Sequence, residues 1–234
     1  MTTKNYFIII SLLLILIFNS SSRGQQAAIN LSLAIPQGEF GEEVDNIGFG
    51  LGGEFLILSP KPKSPLGFGF NLGYYIYGIE RRREPWSITI PDVYLDVERT
   101  NNIFNFHVLF QIGLPRGKFR PYIEGLFGGE YLYTQTSVKG SYNNIDIASS
   151  TNFDDWGWSY GAGAGFSILL SGDPETELNS IYLDLKARYL FGSEAVYLKE
   201  GAVEVLDGQV RYYPSVSKTD LITVHAGVRI ALSF

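Results

Sequence analysis

The chain carries few side chains that could perform acid–base or nucleophilic chemistry. His107 and His225 are its only histidines, and it contains no cysteine. A histidine could act as a general base, whereas the lack of cysteine excludes a thiolate nucleophile and thiolate metal sites. No set of His, Ser and an acid falls together on one outward face. We therefore expect both histidines to belong to a polar interior.

Two further motifs resemble ligand sites. Arg81–Arg83 could bind phosphate groups, but Glu80 and Glu84 flank these arginines, which favours the solvated base of a loop. The alternating glycines of residues 161–165 superficially resemble a nucleotide loop. No helix follows them, and a dinucleotide site requires one. Small residues in a strand explain this motif better.

Acidic residues in two turns could collect a calcium ion through their oxygens. One group is Asp154 and Asp155, and the other is Asp173, Glu175 and Glu177. Neither group has the spacing of a known calcium loop, so we interpret them as exposed turn acids. The sequence therefore predicts no catalytic, cofactor-binding or metal-binding residue.

The elements that position these side chains are strands, and the last one is the clearest. Side chains alternate between the two faces of a strand. From residue 222 onwards one face is continuously apolar, whereas the other carries Thr223, His225 and Arg229. In an outer-membrane barrel the apolar face points to lipid and the polar face points into the lumen. A soluble lipocalin-like barrel, with the apolar face inside, is the rival fold.

The amino end has the pattern of an export signal. Lys4 precedes an apolar run at residues 7–18, and small residues follow it. This run is too short for a membrane-spanning helix, which needs about 20 residues. We expect a signal peptide at residues 1–24 with cleavage after Gly24; cleavage after Ser22 and a retained anchor are the alternatives. The absence of cysteine excludes a lipoprotein.

The rest of the chain, residues 25–234, is predicted to be one domain of eight strands. They lie near residues 27–36, 46–58, 66–79, 101–113, 119–136, 156–170, 180–192 and 219–234. The intervening segments near 59–65, 115–118 and 171–179 are short, whereas those near 80–100, 137–155 and 193–218 are long. Such barrels place short turns in the periplasm and long loops outside. We therefore predict an all-β fold, an eight-stranded antiparallel up-and-down transmembrane β-barrel, in which hairpins within the long loops continue the wall.

The inward positions of these strands are polar. An eight-stranded barrel is only wide enough for side chains to fill its interior, and buried charges are costly unless paired. Four acids and four bases occur at these positions, so we predict a lumen closed by a charge network, with inward glycines at 48, 50, 52, 161, 163 and 165 making room. The predicted inward residues are Asn30, Ser32, Glu54, Asn71, Tyr75, Asn105, His107, Gln111, Arg120, Tyr122, Glu124, Glu130, Ser159, Asp184, Lys186, Arg188, His225 and Arg229.

The final strand resembles the carboxyl-terminal signal of bacterial outer-membrane barrels, on the residues Val228, Ile230, Leu232 and Phe234. Over residues 25–234 the pattern resembles the small barrels of the OmpX and OmpA-transmembrane type, and the porin-like or PorT-like family. The resemblance implies an integral outer-membrane protein in a Gram-negative bacterium. It also implies contact with outer-membrane lipid or lipopolysaccharide and recognition by the barrel-insertion machinery.

Three functional hypotheses follow. The first is a non-enzymatic barrel for envelope structure, adhesion or assembly, with an extracellular or envelope protein partner at loops 80–100 and 193–218. The second is an enzyme that modifies lipid, since small barrels include the PagL and PagP types. The third is a narrow porin. A formal net charge of −6 argues against nucleic acid as a partner.

Overall fold

The computed structural model describes residues 23–87, 90–140, 146–173, 180–206 and 209–233. Eight strands form one antiparallel sheet in a ring. They are β1 Arg23–Pro36, β2 Gly48–Leu58, β3 Leu66–Ser87, β4 Ile90–Gly113, β5 Phe119–Gly140, β6 Asp146–Ser171, β7 Ile181–Gly192 and β12 Leu221–Ser233. Their order around the ring is β1-β12-β7-β6-β5-β4-β3-β2, and β1 pairs with both β2 and β12. The predicted all-β architecture with eight antiparallel strands is confirmed.

Alternation along each strand separates an apolar outside from a polar inside. Ile29 and Leu31 on β1 are 73% and 70% exposed, whereas their neighbours Asn30 and Ser32 are 2% and 4% exposed. A side chain alternates faces at every residue of a strand, so this difference marks the two surfaces of the wall. The same alternation recurs around the ring, and the core of the molecule is therefore the lumen.

Four of the strands rise above the rest of the ring. The pairing of β2 with β3 ends at Ile76, and the pairing of β6 with β7 ends at Gly192. The ladder of β3 with β4 continues to Ser87, and that of β5 with β6 continues to Asp146. Residues 79–87, 90–99, 135–140 and 146–153 together form what we call the tall wall. The prediction of loops at 80–100 and 137–155 is thus wrong, whereas a hairpin that continues the barrel wall is found at the first of them.

Residues 193–218, predicted as the last of the three long loops, form two small sheets of their own. β8 Glu194–Tyr197 pairs with β11 Ser215–Lys218, and β9 Val203–Leu206 pairs with β10 Gln209–Tyr212. These two small sheets stand apart from the ring, so the prediction that this hairpin continues the wall is wrong. Residues 207–208, between β9 and β10, lie outside the described residues.

A short helix covers the same end of the barrel. α1, Gly38–Glu43, follows β1 directly. Its Phe40 is fully buried, with ring centroids 5.6 Å from Tyr77 and 5.0 Å from Tyr197. Glu43 accepts hydrogen bonds from Lys199 Nζ at 2.7 Å and Ser215 Oγ at 3.0 Å. The helix and β8–β11 thus close over the mouth of the lumen.

The opposite end of the barrel holds the tight turns and the two ends of the described chain. Lys61 and Ser64 close a turn through paired backbone hydrogen bonds of 2.7 and 2.9 Å. Arg23 of β1 pairs with Ser233 of β12, so the first and last described residues meet here. In the described part of the chain, no helix combines the length and the apolar character needed to cross a membrane.

Candidate functional site

The lumen contains a compact cluster of opposite charges. Its members come from strands far apart in sequence, and all have side chains that are 4% exposed or less. The acids are Glu54 of β2, Glu124 of β5 and Asp184 of β7, and the bases are Lys186 and Arg188 of β7 and Arg229 of β12. We call these six residues the luminal network.

Glu54 is the centre of the luminal network. Its Oε1 pairs with Lys186 Nζ and with Arg188 Nη2, and its Oε2 lies 3.1 Å from Arg229 Nη2. Buried carboxylates are stable in their charged form only where cations or hydrogen-bond donors surround them. Three cations on one carboxylate therefore link β2 with β7 and β12 across the lumen.

Asp184 is the second acid of the network. Its Oδ1 accepts hydrogen bonds of 2.8 Å from both Tyr122 and Ser167. Its Oδ2 pairs with Lys186 Nζ at 2.9 Å and Arg229 Nη2 at 3.2 Å. Asp184 thus shares two of its cations with Glu54.

Arg188 connects the network to Glu124. Its Nε lies 2.5 Å from Glu124 Oε1, and its Nη1 donates to Asn71 Oδ1 at 2.8 Å. The charges of the three acids and three bases are thus equal in number, which the desolvated interior of a small barrel requires.

Glycines on β6 make room for the long side chains of β7. A Cβ placed on Gly163 would lie 2.7 Å from Arg188 Cγ, and one on Gly165 would lie 2.6 Å from Lys186 Cβ. Both distances are shorter than real Cβ contacts, so larger residues would displace the bases. The glycine repeat at 161–165 therefore lies within a strand and serves luminal packing.

Neither histidine lies on the outer surface. His225 Nδ1 lies 2.6 Å from Ser32 Oγ, and its Nε2 lies 2.9 Å from Thr223 Oγ1. His107 Nδ1 lies 3.5 Å from Asn71 Nδ2, while its buried Nε2 has no hydrogen-bond partner among the described residues. Both rings face the lumen, where a lipid chain outside the barrel does not reach them.

Two further predicted network residues, Arg120 and Glu130, are also buried in the lumen. Arg120 donates from Nε to Gly117 O at 3.1 Å, with Cζ 4.5 Å from the Tyr182 ring centroid. Glu130 accepts from Thr219 Oγ1 and forms no ion pair with a described residue. The remaining predicted inward residues, Tyr75, Asn105, Gln111 and Ser159, are also buried.

Sequence reasoning missed two luminal hydroxyl groups. Ser167 donates to Asp184, and Thr219 contacts Glu130. Ser167 lies two residues beyond Gly165, which the alternation assigns to the lumen, so the same alternation would have identified it. Thr223, which the alternation did assign to the polar face, contacts His225.

The luminal network leaves little free space. Near Arg229, Gln111 and Tyr122 a cavity of about 20 Å³ remains at the turn end of the barrel. That volume holds about one water molecule. At the other end, Phe40 covers the mouth. Around the luminal network, the described lumen is therefore packed with side chains.

The outer surface is an apolar belt bordered by aromatic rings. Trp156, Trp158 and Tyr160 on β6 are each more than half exposed. Trp158 stacks on Phe127 with ring centroids 5.6 Å apart, and Tyr160 stacks on Phe191 at 5.5 Å. Exposed apolar surface this continuous is unusual on a soluble protein, and aromatic girdles border the lipid-facing band of membrane barrels.

The end of the last strand follows the same pattern. Val228 and Ile230 are 42% and 41% exposed on the outer face, and Leu232 is half-buried. Phe234, the last residue of the predicted insertion signal, lies outside the described residues.

The arginines of the tall wall are paired with acids. Arg81 Nε lies 2.8 Å from Glu98 Oε2, Arg83 Nε lies 3.8 Å from Asp96 Oδ1, and Arg82 pairs with Glu80. The run therefore belongs to strand β3, in place of the predicted loop base. Glu80 and Glu98 also pair with Arg99 and Lys139, so bases outnumber acids among these contacts.

The calcium interpretation of the predicted turn acids gains no support, and the prediction that Asp154 and Asp155 lie in a turn is wrong, because both lie within strand β6. Asp155 accepts hydrogen bonds from the backbone of Trp156 at 2.8 Å and Val196 at 2.7 Å. Residues 175 and 177 lie outside the described residues. Within the described ranges, no three His, Cys, Asp or Glu side chains group together as a metal site would require.

Comparisons with known proteins find only distant similarity. No protein-family model matches the chain, and no curated protein matches it in sequence. Neisserial surface protein A is 14% identical, with 90% of this chain and 97% of that one covered, at a TM-score of 0.40. A major outer membrane protein from Thermus thermophilus is 13% identical, with 88% and 98% covered, at 0.36. Ail, the attachment invasion locus protein of Yersinia pestis, is 15% identical, with 88% and 99% covered, at 0.33.

Proposed function

We propose that the protein is an integral outer-membrane β-barrel of a Gram-negative bacterium that catalyses no reaction and presents its tall wall to partners outside the cell. One observation carries this proposal: the charged side chains are inside the ring and the large apolar ones are outside. In water, this arrangement would expose the surface that is costly to hydrate and bury the charges. In a membrane, the apolar outside contacts lipid, and the wall keeps the charged inside away from it.

The orientation follows from the two ends of the barrel. The tight turns and the paired ends of β1 and β12 face the periplasm, and the tall wall, α1 and the small sheets face outwards. Residues 1–24 are the export signal in this proposal. The alternating strand that ends with Val228, Ile230, Leu232 and Phe234 is the segment that the barrel-insertion machinery recognises.

The barrel is closed to solutes in this proposal. The luminal network crosses the interior, and no space larger than about one water molecule is found near Arg229. A porin needs a continuous aqueous path, which a filled eight-stranded barrel does not provide. The non-enzymatic assignment is supported by the placement of His107 and His225 in the lumen, on the opposite face of the wall from lipid.

The tall wall supports a role in adhesion or assembly. Over residues 79–87, β3 has no pairing strand on its β2 side among the described residues, and β6 likewise has none on its β7 side over 146–157. Unpaired strand edges can add a strand from another protein. An extracellular or envelope protein is therefore the proposed partner, at the β3–β4 hairpin and the 193–218 segment.

Two measurements test the proposal. Membrane fractionation combined with gel mobility before and after heating should place the protein in the outer membrane, with a fast-migrating folded form. Extraction without detergent would refute the membrane assignment. Purified protein in planar lipid bilayers should show no defined ion conductance, and a stable conductance would instead support the porin.

A further inference from the structure

A groove lies between the tall wall and the β9–β10 hairpin, outside the region that the luminal network and the apolar belt occupy. Its volume is about 320 Å³. Hydroxyl groups of Thr136, Ser149, Ser150 and Thr151 line it, together with Asn152 and Tyr212. No charged side chain is among its lining residues. The groove therefore offers neutral hydrogen-bonding groups and one aromatic ring.

Asn152 occupies a special position in the wall. Thr134 of β5 pairs with Phe153, and the next residue, Gln135, pairs with Thr151. Asn152 is thus the extra residue of a β-bulge, a feature that turns a side chain away from the regular alternation and is common beside binding sites. Here the bulge places its amide near Tyr212 of the facing hairpin.

Only one of the two polar groups of the Asn152 side chain has a hydrogen-bond partner among the described residues. Its Nδ2 lies 3.5 Å from the Tyr212 hydroxyl, whereas its Oδ1 is buried and has no hydrogen-bond partner among the described residues. A buried carbonyl oxygen without a donor is destabilising, so rotation of the Asn152 amide that turns Oδ1 towards the groove is favoured when a ligand brings a hydroxyl or amide donor. Tyr212 is 41% exposed, and its ring is available for stacking.

We propose that this groove binds a neutral saccharide. A sugar presents hydroxyl groups that donate to the carbonyl of Asn152 and accept from the serine and threonine hydroxyls. Its C–H face packs on an aromatic ring, which combines apolar area with a polar end. The groove volume falls at the lower end of the range for small-molecule sites, and its lack of charge disfavours sulfated or acidic sugars.

The physiological role of this site rests on the proposed orientation, which puts the tall wall outside the cell. The binding test does not depend on it. Full-length protein with heat-modifiable gel mobility, held in lipid nanodiscs, is applied to a printed array of neutral, sialylated and sulfated glycans. The dissociation constant for the best neutral glycan is then measured in solution for the wild type and the variants.

Tyr212→Ala and Asn152→Ala should each weaken binding by about tenfold, which corresponds to the loss of one stacked ring or one well-placed hydrogen bond. Tyr213→Ala is the matched control, because the neighbouring ring is also exposed, at 50%, and its hydroxyl contacts Glu204 at 3.3 Å instead of the groove. It should stay within about twofold of the wild type. Failure of the folded protein to bind any neutral glycan would overturn the proposal. So would binding restricted to charged glycans, or an equal loss with Tyr213→Ala.

Discussion

Replacing Arg229 with methionine is expected to destabilise the folded barrel strongly. The guanidinium is buried, with Nη2 3.1 Å from Glu54 Oε2 and 3.2 Å from Asp184 Oδ2. Methionine retains much of the side-chain volume but provides no charge. The substitution therefore isolates the electrostatic contribution from the cost of a cavity.

The magnitude follows from the charges that remain. Three acids would face two bases inside a wall of low dielectric, and Glu54 and Asp184 would each lose one of their cations. Breaking a buried ion pair by removing one partner typically costs about 3–5 kcal/mol. That range corresponds to roughly two to four orders of magnitude in the unfolding equilibrium. Water in the adjacent cavity of about 20 Å³ reduces the cost towards the lower limit.

Urea titration of the protein in detergent micelles measures this effect. Trp156 and Trp158 face outwards, so their fluorescence reports the transfer of the wall from detergent to water. Lys218→Met is the control, because Lys218 is an exposed base on β11, away from the luminal network. It should change the free energy of unfolding by less than about 0.5 kcal/mol.

A second substitution separates charge balance from general damage. Asp184→Asn in the Arg229→Met background leaves two acids and two bases, and should recover part of the lost stability. The double variant should thus be more stable than the sum of the two single effects predicts. Additive losses, or equal losses for the Arg229 and Lys218 variants, would refute the reasoning.

Three further outcomes are expected. Ile230→Arg, on the lipid-facing side of β12, should reduce the free energy of folding into the membrane by up to about 2–4 kcal/mol. Ala231→Ser, inward on the same strand, should have a mild effect. Equal effects of the two substitutions in a folding assay would mean that the faces are misassigned. Mass spectrometry of the exported protein should give Gln25 as the first residue, and detection of Met1 would contradict the signal peptide. The hydrogen bond from Lys199 lowers the pKa of Glu43, so this contact is present at neutral pH and is lost as the pH falls through the lowered value. Glu43→Gln should accordingly speed amide exchange in α1 at neutral pH, as acidification does in the wild type, and unchanged exchange would argue against the contact.

The strands could be predicted from sequence because lipid and lumen impose opposite demands on alternate residues. The upper parts of β3, β5 and β6 could not be predicted in this way, since residues 80–83, 135–137 and 149–152 put polar side chains on both faces of their strands. Cross-strand pairs such as Arg81 with Glu98 replace the apolar signal. α1 was missed because six residues with one buried side chain, Phe40, carry too little helical periodicity.

The pairing of the luminal charges could not be predicted from the sequence either, for a geometric reason. Alternation assigns a side chain to the lumen but does not give its height along the barrel. Arg120 and Glu130 lie four and six residues from Glu124 on the same strand, which corresponds to about 13 Å and about 20 Å at the usual rise of about 3.3 Å per residue. Alternation therefore identifies both as inward but does not give their positions relative to the six charges.

The position of Arg229 on the last strand has a consequence for how the chain folds. Its partner Glu54 lies 175 residues earlier, so this contact forms only after every intervening strand is in place. A sheet of seven strands would carry surplus negative charge on its concave side and two unpaired edges, both of which are unfavourable in lipid. Ring closure and charge neutralisation are thus the same event. Partly assembled sheets are therefore not stable intermediates. Because the contacts join residues far apart in sequence, assembly is slow and cooperative.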